Sequence, residues 1–287
     1  MRRQVFLSAA LSAVCPFAGA ERASAAASSL APVDDVARER FLREGRVVRA
    51  RAAPGGITSS RRATLSLDGI EHDAHIQTID EARPMANLEG GPELDFRDSY
   101  RNNVAAYRLD RLLGLGMVPV TVVRAYKGRD AAYTWWVDDV RMSEGERLRK
   151  KVDVPDSNRW NHQIFVVRVF DQLIYNTDRN LGNLLIDGDW RIWMIDHTRA
   201  FKVFRKLERE QQLGSRCARQ VLAALRGLDE PTLREQMENV LIPRQVEALV
   251  ARRDQIVAYY DAKVSQLGEA AVLYDLPPRT GAEPPAR

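Results

Sequence analysis

Apolar and polar positions alternate in short runs through the first half of the chain and shift to a helical repeat in the second. Residues 35–44 read as a short helix that runs into a strand at 46–50. A loop of turn formers follows, Pro54-Gly55-Gly56-Ile57-Thr58-Ser59-Ser60. Residues 63–67, Ala-Thr-Leu-Ser-Leu, then alternate with the period of a half-buried strand. Asp68-Gly69 is a hairpin signal, so residues 74–79 form the partner strand. Residues 81–97 hold Pro, Gly and Asn and read as a loop. Val104, Tyr107, Leu109, Leu112 and Leu113 recur at roughly helical spacing, and Gly114 stands at the expected stop. Residues 118–124 and 133–137 read as two more strands, turned by Lys127-Gly128-Arg129-Asp130.

From about residue 143 the pattern becomes helical. Residues 162–175 are strongly apolar, with Ile164, Phe165, Val166, Val169, Phe170, Leu173 and Ile174. Two short strands are expected at 184–186 and 190–195, joined by Asp187-Gly188-Asp189. Residues 206–267 read as amphipathic helix, broken near Gly227 and Pro243. A strand-rich half followed by a helix-rich half predicts an α+β fold in two lobes, 40–140 and 141–275. The Pro-rich end, 276–287, reads as a disordered tail.

Composition narrows the function classes. The 287 residues are 45% hydrophobic and 29% charged, enough for one large domain or two modest lobes. The net charge of +4 comes from basic residues interspersed with acidic ones, without a basic stripe, so nucleic acid is not an expected partner. Cys15 and Cys217 do not suggest a disulfide framework, and the four histidines lack zinc-ligand spacing to them. Arg2 and Arg3, the apolar run 5–14 and Ala18-Gly19-Ala20 resemble an export signal over 1–25, with 26–39 as a linker. Export implies a periplasmic or secreted protein; a mis-set start implies a cytoplasmic one. No run is long enough for a permanent transmembrane helix.

The chemistry concentrates in one stretch. An apolar helix ends in Asn176-Thr177-Asp178-Arg179-Asn180-Leu181-Gly182-Asn183, and a hairpin follows that ends in Ile195-Asp196-His197. Phosphoryl transfer needs a carboxylate to orient the acceptor hydroxyl and hard oxygen ligands to hold Mg²⁺ against ATP. An Asp, an Asn five residues on and a strand-borne Asp have the spacing of a kinase catalytic loop and metal site. The bland alternative is a turn whose Asp and Asn cap its neighbours.

This stretch resembles the atypical kinases, whose loop reads D-R-x-x-x-N: HipA-like kinases, phosphoinositide kinases and secreted Golgi kinases. Residues 103–115, followed by Val118-Pro119, resemble the N-lobe helix and next strand of the bacterial members. The resemblance covers about 40–205. It implies a two-lobed protein-kinase-like fold and ATP with Mg²⁺ or Mn²⁺ as cofactors. It further implies Asp178 as catalytic residue and Asn183 and Asp196 as metal ligands. Arg179 would brace the loop or neutralise phosphate, and Gly55, Gly56, Thr58 and Ser59 would cover the phosphates.

Two positions depart from that pattern. Gln77 stands where a third-strand lysine is expected, and Asn103 where its glutamate partner is expected. An amide pair can hydrogen-bond itself and a phosphate, but it lacks the lysine's charge. Arg61 or Arg62 are candidates to compensate. Asp171 reads as a structural partner of Arg179, and His197 as a positioning residue. Trp135, Trp136, Trp190 and Trp193 read as core or cleft wall, with 135–138 as the connector beside adenine. Three functions remain open: γ-phosphoryl transfer to a protein or small-molecule hydroxyl, a pseudokinase that binds nucleotide or partners, and AMP transfer.

Overall fold

The computed structural model describes residues 34–53, 60–88 and 91–277. The export signal, the loop residues Gly55, Gly56, Thr58 and Ser59, and most of the Pro-rich tail lie outside them.

Helix α1 (Asp35–Glu44) opens on Asp34, whose side chain accepts from the Ala37 N–H. It leads into β1 (Arg46–Ala52), β2 (Arg61–Leu67) and β3 (Ile70–Gln77). Strands β6 (Thr121–Tyr126) and β7 (Arg129–Trp135) complete an antiparallel sheet in the order β1-β2-β3-β7-β6. Its tight turns are set by Asp68-Gly69, at φ 51° and 80°, and Lys127-Gly128, at φ 51° and 80°. These left-handed pairs match the twist of adjoining strands, which is why two residues suffice.

The period-two alternation gives the sheet two unlike faces. Ala63, Leu65, Ala74, Ile76, Tyr133 and Trp135 are buried on one. There Phe41 of α1 meets Trp135 edge-on at 5.6 Å, and Arg124 donates to the Leu42 and Gly45 carbonyls. Register puts Thr64, Asp73, His75, Gln77 and Thr134 on the other face.

The expected loop at 81–97 is instead a two-stranded antiparallel ribbon, β4 (Asp80–Leu88) and β5 (Gly91–Ser99), in register from Asp80↔Ser99 to Leu88↔Gly91. Pro84 and Pro92 are tolerated because each strand has an unpaired outer edge, where a missing N–H costs no ladder bond. Charged neighbours such as Arg83–Glu81 and Arg97–Asp95 hid the alternation in the sequence.

Ser99 caps helix α2 (Tyr100–Leu112), which ends before Gly114 at φ 65°. Asp110 is fully buried and accepts from the N–H groups of Met117 and Val118, tying the end of α2 to the approach to β6. After β7, residues 136–141 connect to β8 (Met142–Ser143), α3 (Glu144–Lys150) and α4 (Ser157–Ile174). Strands β9 (Leu184–Ile186) and β10 (Ile192–Met194) pair with β8 in a small sheet, order β10-β9-β8. Helices α5 (Arg219–Gly227), α6 (Glu230–Gln236) and α7 (Pro243–Leu267) follow, divided at Gly227 and Pro243 as expected.

Arg252 of α7 is fully buried and donates to the carbonyls of Leu173, Lys202 and Phe204. It thereby joins the end of α4 to the segment after β10, and burial draws its guanidinium down to about 9. Cys217 is a buried free thiol pushed up to about 12 by burial, which makes it a poor nucleophile. Among the described residues no helix is long and apolar enough to cross a membrane.

Candidate active site

The loop after α4 is built on one buried ion pair. Arg179 grips both carboxylate oxygens of Asp171, at 3.0 Å, and its Nη1 donates to the carbonyls of Ile195 at 2.8 Å and Asn183 at 3.3 Å. Asn176 adds a second tie, donating through Nδ2 to Asp171 at 3.0 Å while its Oδ1 accepts from the Asp178 N–H at 3.1 Å. Asn180 accepts from the N–H groups of Gly182 and Asn183 and so fixes the short turn that presents Asn183. A Cβ at Gly182 would stand 2.9 Å from Asn180 Oδ1, so a larger residue there would push the capping side chain aside. Arg179 is thus a brace whose hydrogen bonds go to protein groups, and Asp171 is its structural partner.

The hairpin register brings Asn183 beside Asp196. Leu184 pairs with Met194, and the next residue out, Ile195, donates its N–H to the Asn183 carbonyl at 3.0 Å. Asp196 follows at φ 55°, a left-handed conformation costly for a side-chain-bearing residue, and is exposed. Asp178, also exposed, lies close enough to feel it. Partial desolvation raises the Asp178 carboxyl above its ordinary value. Asp196 and Glu93 push it the same way, while Arg199 and Arg179 oppose them. The structure therefore brings Asp178 within electrostatic reach of Asp196 and sets Asn183 against the strand end that leads into Asp196.

These groups suit a hard divalent cation. Asp196 and Asn183 offer a carboxylate and an amide oxygen. Among the described residues no group of three or more His, Cys, Asp or Glu is placed to hold a metal. Asp171 is neutralised by Arg179, whereas Asp178 and Asp196 are exposed carboxyl groups within electrostatic reach of each other.

The segment after Asp196 is fastened along its length. Asn103 Oδ1 accepts from the His197 N–H at 2.7 Å. Asn102 Nδ2 donates to the carbonyls of Thr198 and Ala200, at 2.7 and 3.0 Å. The Phe201 N–H meets the Ile174 carbonyl at 2.6 Å, and Asp95 of the ribbon accepts from the Val203 N–H at 2.8 Å. Glu93, also on the ribbon, pairs with both Arg199 and Lys202.

Gln77 turns inward: its Oε1 accepts from the N–H groups of Thr78 and Ile79, at 2.9 and 3.0 Å, and the residue is 4% exposed. Its carbonyl thus ends β3 rather than facing the opening. Gln77→Lys is expected to cost about 1–3 kcal/mol, because it strips an acceptor from part-buried N–H groups; urea unfolding reads this. Asn103 is spent on His197. Arg62 is held by Asp73 and stacks 4.1 Å over Trp136. The residue that sequence reasoning missed on β3 is His75, half-buried, whose pKa is lowered by burial and which Asp196 pulls the opposite way. The same alternation that singled out Gln77 places His75 on its face.

His197 is fully buried, edge-on to Phe170, and held neutral by burial, with its pKa well below 6.5. His75 and His162 are lowered from 6.5 in the same way. In the unfolded chain these histidines protonate below 6.5, whereas in the fold they resist. The stability from the fully buried His197 is therefore complete above that pH and is lost as pH falls, by up to about 1.4 kcal/mol per unit, with His75 and the more exposed His162 acting in the same direction. Melting temperature measured from pH 7.5 to 5 should drop steeply, and His197→Gln should flatten the slope.

A cavity of about 540 Å³ sits where the connector meets the β9–β10 turn, lined by Arg38, Trp135, Asp138, Asp187 and Trp193 among others. It borders the α1 face of the sheet and includes none of Asp178, Asn183 and Asp196. Trp135 therefore lines this rear cavity, while Trp136 lies under Arg62.

No family model matches the sequence, and no curated protein matches it. The fold does have close company. A hydra Fam20 solved with sugar superposes with TM-score 0.62 at 14% identity, over 82% of this chain and 90% of that one. The fold is that of the atypical protein kinases. A Golgi casein kinase matches at TM-score 0.61 and 15% identity, over 85% and 80% of the two chains. The Golgi casein kinase with Mn and ADP bound gives 0.60, 15%, 85% and 81%. In kinase terms, α2 is the helix of the N-lobe, β9–β10 the hairpin below the cleft, and the β4–β5 ribbon stands between the third strand and that helix.

Proposed function

We propose that the protein is an atypical, metal-dependent phosphotransferase that moves the γ-phosphoryl group of ATP to a protein or small-molecule hydroxyl. One observation supports this reading: the Arg179–Asp171 brace and the hairpin register tie the loop of Asp178 and Asn183 to the strand end that carries Asp196. Asp178 orients the acceptor hydroxyl and takes its proton. Asn183 and Asp196 hold Mg²⁺ or Mn²⁺, which when bound neutralises phosphate charge. A Golgi casein kinase of the same fold is known with Mn and ADP, which supports a nucleotide and a divalent metal as ligands.

A pseudokinase is the second reading, favoured by the inward turn of Gln77 where a phosphate-binding lysine is usual. The deciding experiment incubates the protein and candidate acceptors with Mg²⁺ or Mn²⁺ and ATP labelled at either the α- or γ-phosphate. Transfer of γ label supports the kinase. Transfer of α label would mean AMP addition, and binding without transfer a pseudokinase. Absence of nucleotide binding would overturn both catalytic readings.

A further inference from the structure

The reading above leaves the nucleotide's phosphates without their usual cation. The cations near the opening differ in what they have left to give. Arg179 is spent on Asp171 and two carbonyls, and Arg62 on Asp73. Lys202 has a side chain only 3% exposed and is turned to Glu93. Arg199 is different. Its Nη2 bonds Glu93, and its guanidinium lies 4.7 Å over the Phe96 ring. Among the described residues Glu93 is its only hydrogen-bond acceptor, and its Nε is buried without a partner. A guanidinium has five donors, so four remain unspent. Arg199 is also within electrostatic reach of Asp178 and Asp98. Glu93 shares its single negative charge between two cations, so the trio Glu93, Arg199 and Lys202 carries one surplus positive charge.

We propose that Arg199, carried by the β4–β5 ribbon through Glu93 and Phe96, is the cation that holds the nucleotide's phosphate chain in this protein. The Lys–Glu pair of sheet and helix is thereby replaced by an Arg–Glu pair between the segment after Asp196 and the ribbon. A planar guanidinium that presents N–H groups on neighbouring edges suits phosphate oxygens. Ring stacking and the Glu93 bond fix its plane beforehand, so little side-chain freedom is lost on binding. This assignment rests on the nucleotide-binding reading above.

The test measures affinity for a non-hydrolysable ATP analogue with Mn²⁺ and, separately, for adenosine, by titration calorimetry on the wild type, Arg199→Met and Arg199→Lys. Arg199→Met should weaken the analogue about 10- to 100-fold, the loss of one to two charge-assisted hydrogen bonds, and leave adenosine within about twofold. Arg199→Lys should recover part of the loss, because it restores charge without the fork. A purely structural role would change both ligands together. An unchanged analogue-to-adenosine ratio in a folded Arg199→Met, with the wild type binding normally, would overturn the proposal and leave the phosphotransferase reading intact. Should Arg199→Met not fold, Arg199→Lys decides in the same way, by a ratio lowered about 3- to 10-fold or unchanged. A wild type that binds neither ligand would overturn both.

Discussion

Asp178→Asn is expected to lower kcat for phosphoryl transfer by about 10²- to 10⁴-fold while leaving the KM for ATP nearly unchanged. The substitution keeps the size of the side chain and removes only its basicity. The loop does not depend on the carboxylate, since Asn176 holds Asp178 through its backbone N–H. The same residue sets the acid side of the pH profile. Transfer needs the ionised carboxylate, and burial raises its pKa above 3.8. Activity should therefore begin to fall, as pH is lowered, at a higher pH than an open aspartate would give, and that limb should vanish from the residual rate of Asp178→Asn. Initial rates at saturating acceptor across pH 4–8 test both statements. A full rate in Asp178→Asn would remove Asp178 from the chemistry.

Asp171→Ala should destabilise the fold by about 3–5 kcal/mol, the range for stranding one member of a buried ion pair. The side chains of Arg179 and Asp171 are only 11% and 12% exposed. Losing Asp171 leaves a guanidinium without a counter-charge and takes from Asn176 the acceptor of its amide. Both losses fall on the loop that carries Asp178, so activity should drop as well. The double variant Asp171→Leu with Arg179→Met should regain much of the stability, because no charge is left buried, yet stay inactive, because the Arg179 bonds to the Asn183 and Ile195 carbonyls are lost. Urea unfolding of the two single variants and the double variant measures the coupling directly. Additive losses would show that the pair is not the brace described here.

Much of this was readable in the chain because the signals are local. Helix α1 and strand β9 fall where periodicity and turn residues put them, and Asp68-Gly69 makes the hairpin it announces. The turn from Asp178 to Asn183 and the hairpin that ends before Asp196 were legible because both are set by local sequence. The ribbon at Asp80–Ser99 was not. Its prolines mimic a loop, and its alternation carries charge rather than apolar residues, so neither usual marker of a strand was present. Missing the ribbon also hid the meaning of Glu93 and Arg199, which lie 106 residues apart and meet only once it has folded. The reading of Gln77 as a phosphate-facing amide relied on position alone. A side chain's direction depends on which nearby N–H groups lack partners, and at Gln77 those belong to Thr78 and Ile79.

The stretch from His197 to Phe204 is held by the ribbon, by α2 and by α7 at once. Three separate parts of the chain would have to let go together for it to move, so it shares the lifetime of the whole fold rather than that of a surface loop. A phosphotransferase built this way would need no separate release of this segment: folding and readiness would be one event. Its output would follow the local supply of nucleotide and acceptor, and restraint would come from where the protein is sent and from what competes for its opening.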